Sequence, residues 1–247
     1  MNVLIVENAN DQYFVEALAK KVSVENKVVH IDDYKHCSLS EPKLTETIQN
    51  QLLDVNRGVS KIGIILDIDD ETIDKRLSLI NKCLKQALLN TGNIPPNNVL
   101  LTGINEFIAI SVTGITVKVA CFFTNVDGQG ELETVLKAIK TKDSPFADCL
   151  NEGWRQCLES KGKKIGRRND TCDISEKEIL KLWVDSYKRF DTLTKTQRKQ
   201  SEKNTDWKGI MLGVTKEGKT IEARGEEIFN LDSEILNELK EFLRMFD

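Results

Sequence analysis

Residues 62–70 read Ile-Gly-Ile-Ile-Leu-Asp-Ile-Asp-Asp, and residues 3–11 read Val-Leu-Ile-Val-Glu-Asn-Ala-Asn-Asp. Each is a short apolar run that ends in clustered acids. Near-continuous apolar strands mark a parallel sheet covered on both faces. In open α/β sheets, ligands bind at the C-terminal edge of such strands. Two of them side by side would gather Glu7, Asp11, Asp67 and Asp69 into one small volume. Carboxylates that close repel one another unless a cation lies between them, and an all-oxygen donor set suits Mg²⁺. Asp67 and Asp69 are two apart on an extended segment, so they are expected to point the same way, with Ile68 turned into the protein.

The pattern continues on either side of these stretches. Residues 2–6 are predicted as a first strand, followed by a helix capped by Asn10 or Asp11 and reaching about Val22. Val28, Val29 and Ile31 form a short second strand. Leu44, Ile48, Leu52 and Val55 recur at helical spacing over 44–56. The third strand is 61–68. A long amphipathic helix over 71–90, which Asp70 can cap, ends at Thr91-Gly92, with Pro95-Pro96 beyond. Residues 99–101 and 117–124 read as further strands. This alternation predicts an α/β fold in three layers, a central, mostly parallel sheet flanked by helices. After about residue 140 the pattern turns helical, over 146–160 and 175–190. The last helix spans 231–246, with Ile235, Leu239, Phe242 and Phe246 as its apolar face. We read one domain over 1–247, with a core of about 1–140 and a helical elaboration over about 141–247.

With 247 residues and 40% hydrophobic content, the chain can bury a sizeable core unaided. A net charge of −4 does not announce a nucleic-acid binder and does not exclude one, because local patches matter more than totals. Six cysteines without a CxxC pair, and only two histidines, argue against zinc. Neither an apolar run of about 20 residues nor a signal-peptide pattern occurs, so the expectation is a reduced, cytoplasmic protein.

Glu7 with Asp11 four residues on, and then Asp67-Ile68-Asp69 after a later strand, resemble the two acidic motifs of the TOPRIM domain. That domain occurs in topoisomerases, bacterial primases, recombination proteins and OLD-type nucleases. The placement of Asp11 is similar to the OLD-type branch. Asn8 stands where that family usually has Gly, and Asn is the next-best residue for a left-handed backbone. A third element, residues 122–133, is similar to a strand, turn and Gly-x-Leu-Glu helix start found in small stand-alone TOPRIM-related families of uncharacterised function. There Asp127 is displaced from the family position, and Glu133, in the Gly-x-Leu-Glu start, matches better.

The resemblance implies Mg²⁺- or Mn²⁺-dependent phosphodiester hydrolysis of DNA or RNA. Glu7, Asp67 and Asp69 would hold one ion, and Asp11 and Glu133 would help with a second, roughly 3.5–4 Å away in the two-metal scheme. Glu7 would alternatively shuttle a proton, since like-charged neighbours raise a carboxyl pKa. OLD-type nucleases use a late lysine, for which Lys203 is the candidate and Lys208 the competitor; it would offset transition-state charge. The alternatives are a non-cutting metal- or nucleotide-binding regulatory module and primase-like nucleotidyl transfer. OLD-type TOPRIM domains are often fused to an ATPase. This chain has no Gly-x-x-x-x-Gly-Lys-Ser/Thr loop, so an ATPase partner in defence or repair would be a separate polypeptide. Self-association stays open.

Each residue also has a plainer reading. Asp11 and Asp70 suit helix caps, Glu133 a first-turn acid stabilised by the helix dipole, and Asp127 a turn beside Gly128. Lys161, Lys163, Lys164, Arg167 and Arg168 form a basic loop that either contacts phosphates or is simply solvated. Tyr13, Tyr34, Tyr187, Trp154, Trp183, His30 and His36 read as structural.

Overall fold

The computed structural model describes residues 1–31, 39–93, 101–166, 171–200, 204–215 and 217–247. The chain divides into two compact units, one of Met1–Thr124 with Leu236–Asp247 and one of Asn125–Ile235. The division thus falls at 124/125 rather than near 140, and the last residues return to the first unit.

The first unit is built on five strands: β1 Asn2–Val6, β2 Lys27–His30, β3 Lys61–Asp67, β4 Ile108–Val112 and β5 Ile115–Thr124. Their order is β2-β1-β3-β5-β4. All neighbours are parallel except β4, which runs antiparallel to β5. Period-two alternation sorts the strand side chains between the two faces. Val3, Ile5, Ile62, Ile64, Leu66, Val119, Cys121 and Phe123 join one apolar cluster with Leu44, Ile48 and Leu52 of α2 (Glu41–Leu53) and Ile80, Leu84 and Leu88 of α3 (Ile73–Asn90). The opposite face carries α1 (Ala9–Lys21) and the closing helix, Asn237–Arg244. There Phe122 packs on Phe242 with ring centroids 5.7 Å apart. Gly63 leaves room for Leu4 and Phe246, since a Cβ at this position would lie 2.6 Å from Leu4 Cδ2 and 2.7 Å from Phe246 Cζ. The result is the expected three-layer α/β arrangement.

Several element boundaries differ from the sequence expectation. The strand expected over 99–101 is not seen at Leu101, and Val99 and Leu100 lie outside the described residues. The edge strand is instead β4. The stretch 108–117, Ile-Ala-Ile-Ser-Val-Thr-Gly-Ile-Thr-Val, alternates around Thr113-Gly114. Both turn residues have positive φ (51° and 85°), as a two-residue hairpin turn requires. Thr72, rather than Asp70, caps α3, its Oγ1 accepting from Lys75 N at 3.3 Å. The closing helix begins only at Asn237, so Ile235 is exposed instead of facing the core, while Leu239, Phe242 and Phe246 are buried.

The second unit holds α4 (Leu132–Ala138), α5 (Pro145–Ser160), α6 (Glu176–Ser186), shorter helices, and a parallel pair, β6 Ile165–Gly166 and β7 Ile174–Ser175. Its centre is aromatic. Trp183 stacks on Tyr187 at 5.3 Å, and Phe229 packs against both Tyr187 and Trp207. Trp183 Nε1 donates to Asp148 at 2.7 Å, so the buried indole N–H is satisfied. Trp183 and Tyr187 are therefore core residues, as read from sequence, whereas Trp154 is half-buried. Among the described residues, no helix is long and apolar enough to cross a membrane.

Candidate metal centre

The chain runs from β1 through α1 to β2, then returns through α2 to β3 on the other side of β1. Strand order therefore reverses between β1 and β3, the place where open α/β sheets bind ligands. Glu7 directly follows β1, and Asp67 ends β3. The β1–β3 register pairs Ile5 with Ile64, which puts Glu7 opposite Leu66, one step short of Asp67. The glutamate side chain covers that step, and its Oε1 accepts the main-chain N–H of Asp67 at 2.9 Å. Adjacent parallel strands thus bring two of the expected acids together.

Beyond Asp67, Ile68 N donates to Thr124 O at 3.2 Å, which extends the β3–β5 ladder by one bond. The chain then turns. Asp69 has φ +52°, a left-handed conformation that Asp tolerates better than most residues. The Asp-x-Asp pair is therefore not a continuous extended segment, contrary to the sequence expectation. Ile68 is buried as expected, and carboxylate oxygens of Asp67 and Asp69 still lie within 4.8 Å of each other.

Asp67 is 4% exposed. Carboxylates so placed are costly unless a positive charge or hydrogen bonds compensate them. For Asp69 that partner is Arg76 of α3. Its Nη2 lies 2.5 Å from Asp69 Oδ2, and its Nε donates to Ile68 O at 3.3 Å. Both side chains are about nine-tenths buried. The sequence reading missed Arg76, which looks like one more charge in an amphipathic helix; its signal was a cation one turn inside the helix that follows Asp-x-Asp. Asp67 and Asp69 belong to a carboxylate group that could hold a metal ion, and its all-oxygen donors are those preferred by hard divalent cations.

Asn8 and Asp11 have a local role. Asn8, not Asn10 or Asp11, caps α1. Its Oδ1 accepts from Asn10 N at 2.8 Å and Asp11 N at 3.2 Å, while Asp11 Oδ2 accepts from Asn8 N at 3.0 Å. This reciprocal capping box engages one oxygen of the buried Asp11. Asn8 has φ −141°, so the left-handed turn expected at this position is replaced by an extended N-cap. At the same sheet edge, His30 ends β2, its Nδ1 2.7 Å from Gln12 Oε1.

The other expected site residues fall in the second unit or outside the described residues. Glu133 is half-buried in the first turn of α4. Asp127 sits with Gly128 in a tight exposed turn, φ 53° and 78°, as its plainer reading anticipated. The buried acid here is Glu131, the N-cap of α4, paired with Lys177 at 2.5 Å. The sequence reading passed over it in favour of Glu133, although the Glu131-x-x-Thr134 spacing is that of a cap. Lys161, Lys163 and Lys164 are exposed. Lys163 pairs with Asp173 at 3.1 Å, and Lys164 N donates to the same carboxylate. Lys203, Arg167 and Arg168 lie outside the described residues, and Lys208 is half-buried in the helix Trp207–Leu212.

A family model described as a protein of unknown function, DUF3226, matches residues 1–246. The chain belongs to this family. No curated protein and no solved structure matches the chain. The DUF3226 match takes in both compact units, including the sheet edge that carries Glu7, Asp67 and Asp69.

Proposed function

We propose that the chain catalyses Mg²⁺- or Mn²⁺-dependent phosphodiester hydrolysis of nucleic acid, with Glu7, Asp67 and Asp69 as cation ligands. The observation that carries this reading is the Glu7–Asp67 hydrogen bond across the topological switch point. A divalent cation bound there supplies Lewis acidity toward a phosphoryl oxygen and lowers the pKa of water. The chain's own residues do the positioning. Asp67 N–H orients the Glu7 carboxylate, Arg76 orients Asp69, and the Asn8–Asp11 capping box fixes the turn that leads from Glu7 into α1. The exposed Lys161 and Lys164 are candidates for the salt-sensitive phosphate contacts of a nucleic-acid substrate.

A second reading is a metal-dependent regulatory module that does not cut. The Asp69–Arg76 ion pair favours it, because it already neutralises a carboxylate that a catalytic ion would draw on. Labelled DNA and RNA incubated with the protein and Mg²⁺ or Mn²⁺ separate the two readings. Hydrolysis that disappears in Glu7→Gln and Asp67→Asn supports the first. Cleavage unchanged in both variants overturns it, and cation binding without cleavage supports the second.

A further inference from the structure

We propose that Arg76 competes with the divalent cation for Asp69 and thereby sets the metal affinity of the site. This rests on the reading of Glu7, Asp67 and Asp69 as ligands.

Three observations carry it. First, Arg76 Nη2 contacts Asp69 Oδ2 at 2.5 Å, and a carboxylate oxygen of the same Asp69 lies within 4.8 Å of one of Asp67. Second, the guanidinium does not depend on Asp69 alone for its place. Its Nε is anchored on Ile68 O, and Arg76 as a residue is only 7% exposed, so it stays at the sheet edge whichever way the carboxylate turns. Third, Asp69 sits on a left-handed turn after the strand has ended, where a change of side-chain rotamer does not disturb the β3–β5 ladder.

Arginine remains protonated at any physiological pH. A cation that draws on the Asp69 carboxylate must therefore weaken an ion pair already made in a poorly solvated place. Metal binding is an exchange of partners at Asp69, and part of the cation's attraction is offset by the loss of the Arg76 contact. Repulsion between guanidinium and cation acts in the same direction. The arrangement makes the acids tolerable without metal and keeps the affinity for metal low, so occupancy follows the ambient cation concentration.

Mn²⁺ titration by calorimetry, with the 247-residue wild type, Arg76→Gln and Arg76→Lys, tests the inference. Gln removes the charge, and the expected result is a Kd about tenfold lower than wild type. Lys keeps the charge but cannot make both the Ile68 and Asp69 contacts, and the expected tightening is smaller. Arg76→Lys carries the test if Arg76→Gln fails to fold, as judged by circular dichroism. If wild type binds Mn²⁺ and neither variant binds it more tightly, the inference is overturned while the metal reading stands. If wild type and both variants bind none, the metal reading itself falls, and this inference with it. Binding in Arg76→Gln but not in wild type supports both.

Discussion

Oε1 of Glu7 accepts the main-chain N–H of Asp67 at 2.9 Å, so the residue after β1 is tied to the last residue of β3. Glu7→Gln keeps an acceptor for that N–H and removes the charge. It is expected to melt close to wild type without metal. Saturating Mn²⁺ at about a hundredfold over Kd should raise the wild-type melting temperature by about 5–10 °C, and Glu7→Gln should lose most of that rise. Glu7→Ala leaves the buried N–H without this partner and should cost about 1–3 kcal/mol in a urea melt. An equal metal response in wild type and Glu7→Gln would remove Glu7 from the ligand set.

Asn8 closes the N-terminus of α1 through two side-chain contacts, and Asp11 returns the bond. Asn8→Ala is expected to destabilise the fold by about 1 kcal/mol. Asn8→Gly should cost only a few tenths of a kcal/mol, although Gly is what the TOPRIM resemblance expects there. Denaturant midpoints of the two variants check the difference.

Gly63 lies under Leu4 and Phe246 in the middle of β3. Gly63→Ala adds a Cβ closer to both side chains than van der Waals contact allows, and overpacking of this kind costs about 1–3 kcal/mol. The added Cβ meets the Phe246 ring, so the double variant Gly63→Ala, Phe246→Leu should lose less than the sum of the two single variants, as read by urea unfolding.

Thr113 holds φ +51° at the tip of the β4–β5 hairpin, a conformation that a β-branched residue adopts at a cost. The site is exposed, and its main-chain N–H donates to Asn93 Oδ1, a bond that any residue but proline keeps. Thr113→Asn should stabilise the protein by about 0.5–1 kcal/mol. A melting temperature equal to or below wild type would contradict the turn assignment.

Arg224 and Lys142 hold the Glu227 carboxyl down to about 2, well below its ordinary 4.5. A depressed carboxyl pKa gives stability that is fully present above the ordinary value and is lost as pH falls toward the folded one. The Glu227 side chain is half exposed, so solvent screening keeps the contribution below about 1 kcal/mol. The stability difference between wild type and Glu227→Gln should therefore be constant above about pH 5 and shrink between about pH 4.5 and 2. A difference that grew on acidification would contradict it.

Much of the first unit was legible because its signals are local. Apolar runs of strand length at 2–6 and 61–67, helical spacing over 44–52, and a Thr-Gly stop after residue 90 each act within a few residues. The hairpin at 108–117 was equally local, and its alternation around Thr113-Gly114 was the available signal. The closing helix was read too long because Ile235 fits an apolar spacing, and only packing shows that this side chain stays in solvent.

The sequence by itself determined which acids end which strands, since that depends only on where each apolar run stops. It also determined the α/β alternation that makes neighbouring parallel strands present those ends at one edge. Tertiary structure alone decided which strand lies beside which, and therefore that Glu7 reaches Asp67. It alone decided that Asp69 meets Arg76 rather than continuing the strand. The reason is physical. Strand ends follow from local hydrophobicity, whereas the partner of a buried charge is fixed by whichever opposite charge or N–H the packed fold brings within hydrogen-bond distance, and that distance is not written in the spacing of residues along the chain.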